Sequence, residues 1–161
     1  MKRIACVLLT LALMGAFAFS EQTASVYETV AMSDTLETIT ESLGEGEAVD
    51  DFIKYGDALL VFYESGRLNA KGLYFDDVRD VAPMAQGNFA LVRDFKQGTG
   101  LSEITALLGQ GKEIMAMNLA DEDDAGLRKL YAWQDANGHV LEALVELDDG
   151  EWVLFALGEI E

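Results

Sequence analysis

The sequence predicts an α+β fold: a tandem repeat of helix-turn-helix plus antiparallel sheet, with the helices on one sheet face. Three observations predict it. An amphipathic helical pattern at Leu36–Gly46 recurs 65 positions later at Leu101–Gly111. Each pattern is followed by two alternating runs that flank a glycine turn, Ser65-Gly66 in one half and Asn137-Gly138 in the other. The single proline, Pro83, lies near the junction of the halves, where an edge or linker is expected.

The chain begins with an export signal. Lys2 and Arg3 form a short positive region, and Ile4 to Phe19 are apolar apart from Thr10 and Gly15. Ala16-Phe17-Ala18 and Ala18-Phe19-Ser20 both fit a small-x-small cleavage pattern. A spanning helix needs about 20 apolar residues, so this run reads as a removable signal peptide over residues 1–20, not as an anchor. Localisation is then secreted or periplasmic/cell envelope. Cys6 is the only cysteine and falls inside the signal, near its start, where no lipid anchor forms. The mature chain therefore has neither thiol nor disulfide and must fold by core burial alone. Two α+β repeats are expected, over residues 21–88 and 89–161.

Within each repeat the strongest element is the second helix. Leu36, Ile39 and Leu43 are spaced i, i+3, i+7, and Leu101, Ile104 and Leu108 repeat the spacing. Gly44 and Gly109 stand where a helix favours a left-handed residue just past its end. Ser25 to Ala31 and Phe89 to Gln97 are the expected first helices. Ser33 or Asp34 is the expected cap of the second helix in the first half, and Thr99 in the second. Strands are expected at Leu59–Tyr63, Leu68–Phe75, Val78–Val81, Leu130–Gln134, Val140–Leu147 and, after Asp149-Gly150, Glu151–Leu157.

Turn positions give a register. With Asn137-Gly138 as a two-residue turn, Trp133 faces Glu142 and Tyr131 faces Leu144. With Asp149-Gly150 at the next turn, Glu146 faces Val153 and Leu144 faces Phe155. Alternation then sorts the sheet into an apolar face (Leu130, Ala132, Leu141, Ala143, Val145) and a mixed face carrying Tyr131, Trp133, Phe155, Glu142 and Glu146. In the first half, composition puts Phe62 and Lys71 on the mixed face with Leu60 and Asn69. Aromatics beside carboxylates either shield the sheet or anchor a protein partner. The candidate partner-binding set is Tyr131, Trp133, Phe155, Phe62, Glu142, Glu146 and Lys71.

Composition narrows the chemistry. A formal net charge of −18, more negative still once Lys2 and Arg3 leave, repels nucleic acid and anionic membrane surfaces. The mature chain has no cysteine nucleophile, and His139, the only histidine, sits beside a turn with no serine claiming it. No histidine- or cysteine-rich metal site is available. Asp121-Glu122-Asp123-Asp124-Ala125-Gly126 begins like a calcium loop, but Ala125 and Ala132 stand where ligands are needed, so it reads as a solvated acidic loop. No cofactor and no metal are expected.

Phe95-Lys96-Gln97-Gly98-Thr99-Gly100-Leu101-Ser102-Glu103-Ile104 with Leu108-Gly109, followed by Tyr131-Ala132-Trp133 and Asp148-Asp149-Gly150, resembles two related families. These are the beta-lactamase-inhibitor-protein-like fold and the small outer-membrane assembly lipoproteins of the SmpA/OmlA type. The resemblance implies tandem α+β units and a non-catalytic binding module outside the cytoplasm. This sequence has Gly98-Thr99-Gly100 where those families carry Gly-Met-Thr, and it lacks their disulfide and anchoring cysteines.

The expected function is a secreted or periplasmic non-catalytic protein-binding module, an inhibitor being one form of it. Its partner is a protein, with a basic one as the charge complement. There is no nucleic-acid partner and no membrane insertion after signal cleavage. Two alternatives stay open: a small glycoside hydrolase using Glu142 and Glu146, and an envelope assembly factor.

Overall fold

The computed structural model describes residues 25–120 and 126–160. The predicted signal peptide and residues 121–125 of the acidic loop lie outside the described residues. Two eight-residue helices carry the periodicity read from the sequence. They are α2 (Leu36–Leu43) and α3 (Leu101–Leu108), preceded by the one-turn α1 (Val26–Thr29). The caps differ from expectation. Thr35 forms a capping box with Thr38 at the start of α2, and α3 starts at Gly100 without a side-chain cap. Both helices end on a glycine at φ +80°, Gly44 and Gly109, a backbone region costly for any other residue.

Eight strands form one antiparallel sheet in sequence order: β1 (Glu47–Val49), β2 (Phe52–Tyr55), β3 (Ala58–Phe62), β4 (Leu68–Leu73), β5 (Lys112–Asn118), β6 (Leu127–Gln134), β7 (Val140–Asp148) and β8 (Glu151–Ile160). This overturns the expected tandem of helix-turn-helix plus sheet. The first member of each expected helix pair is a single turn, α1 in one half and a 3-10 turn at Phe89–Leu91 in the other. The strands do not form two sheets, because β4 pairs with β5 through Ala70↔Met117, Lys71↔Ala116 and Gly72↔Met115. α1 stops where Val30 turns extended (φ −77°, ψ 121°), too short to stand as a full helix, and the free edge of β4 is paired by the next strand instead. Val78–Asp80, expected as a strand, is a 3-10 turn capped by Asp77.

Register and alternation assign the faces. On one face, Leu60 and Ala58 of β3 lie with Lys71 and Leu73 of β4, Ala116 of β5, Lys129, Tyr131 and Trp133 of β6, and Leu141 and Ala143 of β7. The helices cover this face and make two cores. Tyr27, Val30 and Ile39 pack with Tyr55, Leu60 and Leu68; Ile104 and Leu108 pack with Trp133, Leu141 and Leu154. On the opposite face, the Phe75–Ala82 segment packs over Ile114, Leu130, Ala132 and Val140.

Glycines set how closely chain approaches chain beneath the helices. A Cβ at Gly111 would lie 2.5 Å from Cζ2 of Trp133, and one at Gly46 would overlap Ile53 and Tyr55. Gly111→Ala is therefore expected to cost about 1–3 kcal/mol by overpacking, since a fully buried indole has no room to yield. Denaturant unfolding of this variant should show a lower midpoint, whereas Gly72→Ala, where φ is not positive and nothing lies within 4 Å of the Cβ position, should change it little.

Candidate functional site

The seven predicted site residues do not form one surface. The β6–β7 connection is not a two-residue turn. It runs from Asp135 to His139, and the Asp135 carboxylate accepts the backbone N–H groups of Asn137 and His139 at 2.8 and 2.9 Å. Pairing accordingly starts at Gln134↔Val140, so Trp133 opposes Leu141 and Ala132 opposes Glu142. A one-residue change of register turns every β6 side chain to the other face. Trp133 and Tyr131 thus lie under the helices, while Glu142 and Glu146 lie opposite.

Trp133 is fully buried, its Nε1–H donating to the Gly109 carbonyl at 2.9 Å. Tyr131 is half-buried beside it, ring centroids 6.3 Å apart. Phe62 packs against the Tyr27–Ile39 core. Lys71 is 8% exposed, and its ammonium donates to the Tyr27 and Val30 carbonyls at 2.9 and 2.7 Å, closing the end of α1. Trp133 and Lys71 are buried and Tyr131 and Phe62 pack against the helix-covered cores, so these four do not share an open face with Glu142 and Glu146.

Between the two cores lies a polar cluster that the sequence did not indicate. Glu113 of β5 accepts hydrogen bonds from the Tyr27 and Tyr131 hydroxyls at 3.0 and 3.2 Å and pairs with Lys129 at 2.8 Å. Burial alone would push its carboxyl up. The bond and charge of Lys129, the Tyr27 hydroxyl and the Lys71 charge outweigh burial and hold it below the ordinary carboxylate range. Burial, then the Glu113 charge, pushes the Tyr131 phenol up to about 12, and the same causes raise Tyr27. Both carboxylate oxygens are thus engaged by protein donors, so Glu113 acts as a clamp between α1 and the sheet and not as a free acid or base. Lys112–Glu28 at 2.6 Å adds a second tie from β5 to α1.

The uncovered face carries the rest. Phe155 sits at the β7–β8 bulge, its ring centroid 3.8 Å from the Arg128 guanidinium, and Arg128 pairs with Glu146 at 3.1 Å. Glu142 and Glu146 are four residues apart on β7, about 13 Å along a strand, wider than the roughly 5–9.5 Å between glycosidase carboxyl groups. Further along this face, Phe52, Leu59, Val61, Ala70, Phe75 and Met115 line an almost wholly apolar depression of about 250 Å³. Phe52 is 41% exposed there. No sequence reading singled this region out.

Among the described residues no group of three or more histidine, cysteine or carboxylate side chains is placed to hold a metal ion. No described helix is long and apolar enough to cross a membrane. His139 lies in the β6–β7 loop, its Nδ1 3.3 Å from Asp135. A scan against protein-family models finds no match for this chain, and a search of curated proteins finds none either.

Proposed function

We propose that this chain is an exported, non-catalytic protein-binding module that uses the sheet face its helices leave uncovered. The observation that carries the reading is the asymmetry of the sheet. One face supplies both helix-covered cores, while the other, beyond the patch that Phe75–Ala82 covers, keeps large apolar side chains half-exposed around an open depression. Surface of that kind marks interaction sites more often than it marks incidental exposure. Export rests on the Lys2-Arg3 and Ile4–Phe19 pattern, which places the partner in the envelope or outside the cell.

The test is comparative capture from envelope extract and culture supernatant, using the chain from residue 21 onward as bait. Three baits are run side by side: the parent, Leu59→Lys on the uncovered face, and Glu41→Gln on the exposed surface of α2. The reading expects at least one protein retained by the parent and by Glu41→Gln but lost with Leu59→Lys. Identical retention by all three baits would remove the uncovered face from the account.

A further inference from the structure

The apolar depression has an acidic border. Asp50 and Asp51 immediately precede Phe52 at the β1–β2 turn, and Asp76 and Asp77 immediately follow Phe75. All four aspartates are exposed, and Asp77 is paired with Arg79 at 3.3 Å, which leaves Asp50, Asp51 and Asp76 as the border's outward charge. The pairs are next in sequence to two aromatics that line the same depression, Phe52 and Phe75, so acidic residues adjoin its lining at both of these positions. Within the depression itself the lining is apolar except for Lys71, whose ammonium is turned through the sheet to the carbonyls of α1. Lys54, the nearest exposed-side cation on β2, is held over the Tyr74 ring at 3.8 Å. The net charge of −18 gives the long-range field the same sign as this border.

We propose that the depression between β2, β5 and Phe75 receives an apolar side chain of a protein partner, and that this side chain is flanked in the partner by lysine or arginine. This rests on the reading of the uncovered face as a binding surface and adds to it the location and the chemistry of the contact. The geometry suits that occupant. A floor of branched and aromatic side chains desolvates one apolar anchor, while carboxylates at the border reward neighbouring cations without being buried themselves. An acidic segment would meet like charge at both ends, which costs affinity and slows encounter.

The experiment uses a displayed library of random peptides selected on the chain from residue 21 onward at low salt. Recovered peptides are then bound to four proteins: the parent, Leu59→Lys, the surface pair Asp51→Asn with Asp76→Asn, and Arg128→Ala near Phe155. The expected peptides carry an apolar residue flanked by lysine or arginine. Their affinity should fall roughly tenfold or more with Leu59→Lys. It should fall about threefold with the asparagine pair, a difference that disappears at high salt. The asparagine pair lies on exposed turns, so its result stands even if Leu59→Lys disturbs folding. Peptides that lose binding with Arg128→Ala and not with Leu59→Lys or the asparagine pair would overturn the location while leaving the binding-module reading in place. Peptides without basic enrichment would overturn the chemistry. Binding unaffected by every variant would overturn both the proposal and the reading beneath it.

Discussion

Trp133→Ala is expected to lose about 3–5 kcal/mol of folding stability, the range for a large aromatic truncated in a packed core. For a chain of this size that lowers the melting temperature by on the order of 10 °C or more. The indole is fully buried among Ile104, Leu108, Leu141 and Leu154, so its removal opens a cavity that α3 and the sheet cannot both close. It also strands the Gly109 carbonyl at the end of α3, which now receives the Nε1–H. Trp133→Phe separates the two effects. It keeps most of the ring volume and loses the donor, so its expected cost is smaller, about 1–2 kcal/mol. Thermal melts of the three proteins check this order. A Trp133→Ala variant that melts like the parent would return this residue to the surface.

Removing the Glu113 carboxylate has the next largest expected effect. Glu113→Ala leaves Lys129 and Lys71 without their shared counter-charge and the Tyr27 and Tyr131 hydroxyls without an acceptor. Its side chain is 21% exposed, so solvent replaces part of what is lost, and a cost of roughly 2–3 kcal/mol is expected. The pH dependence has a definite sign. A carboxyl held below its ordinary value in the folded state contributes fully above its unfolded value, and that contribution is lost as pH falls through the folded one. Melting temperature should therefore fall below about pH 4, and it should fall less steeply in Glu113→Gln, whose amide does not titrate. The raised phenols act at the other end: stability present below their unfolded value of about 10 is lost as pH rises above it. Equal acid slopes in parent and Glu113→Gln would show that the clamp does not hold α1 to the sheet.

The helices were legible because each carries its own signal. Leucine and isoleucine at i, i+3 and i+7 end at a glycine in both α2 and α3, and the observed bounds follow. The β7–β8 turn was legible for a similar reason. Asp149-Gly150 fixes Glu146 opposite Val153, as alternation predicts, until the bulge at Leu144/Val145 shifts the pairing beyond it. The β6–β7 turn was not, because the Asp135 side chain takes over two backbone amides and lengthens the loop around Asn137-Gly138. That one displacement moved Tyr131 and Trp133 to the wrong face.

Lys71 misled in a different way. A lysine among alternating residues reads as solvent-facing, and here α1 supplies two carbonyls that satisfy it inside. With Lys71 assigned outward, Leu59 and Val61 read as core and Leu60 and Phe62 as mixed, the reverse of the observed arrangement. β1 and β2 are only three and four residues long, and β5 places methionines between its buried positions, which blurs its period. Glu113 and Lys129 meet through the pairing of β5 with β6, and Tyr27 reaches them from α1, 86 residues away in sequence, so local pattern carries no trace of the cluster.

The division of the sheet into a structural face and a binding face is tested most directly by hydroxyl-radical footprinting of the chain from residue 21 onward, alone and with its captured partner. Alone, Phe52, Phe75 and Met115 should be labelled and Trp133 protected. With the partner bound, Phe52, Phe75 and Met115 should become protected while exposed Leu43 and Leu107 on the helices stay labelled. Protection that appears at Leu43 and Leu107 instead, with Phe52 and Met115 unchanged, would contradict the account by placing the partner on the helix side.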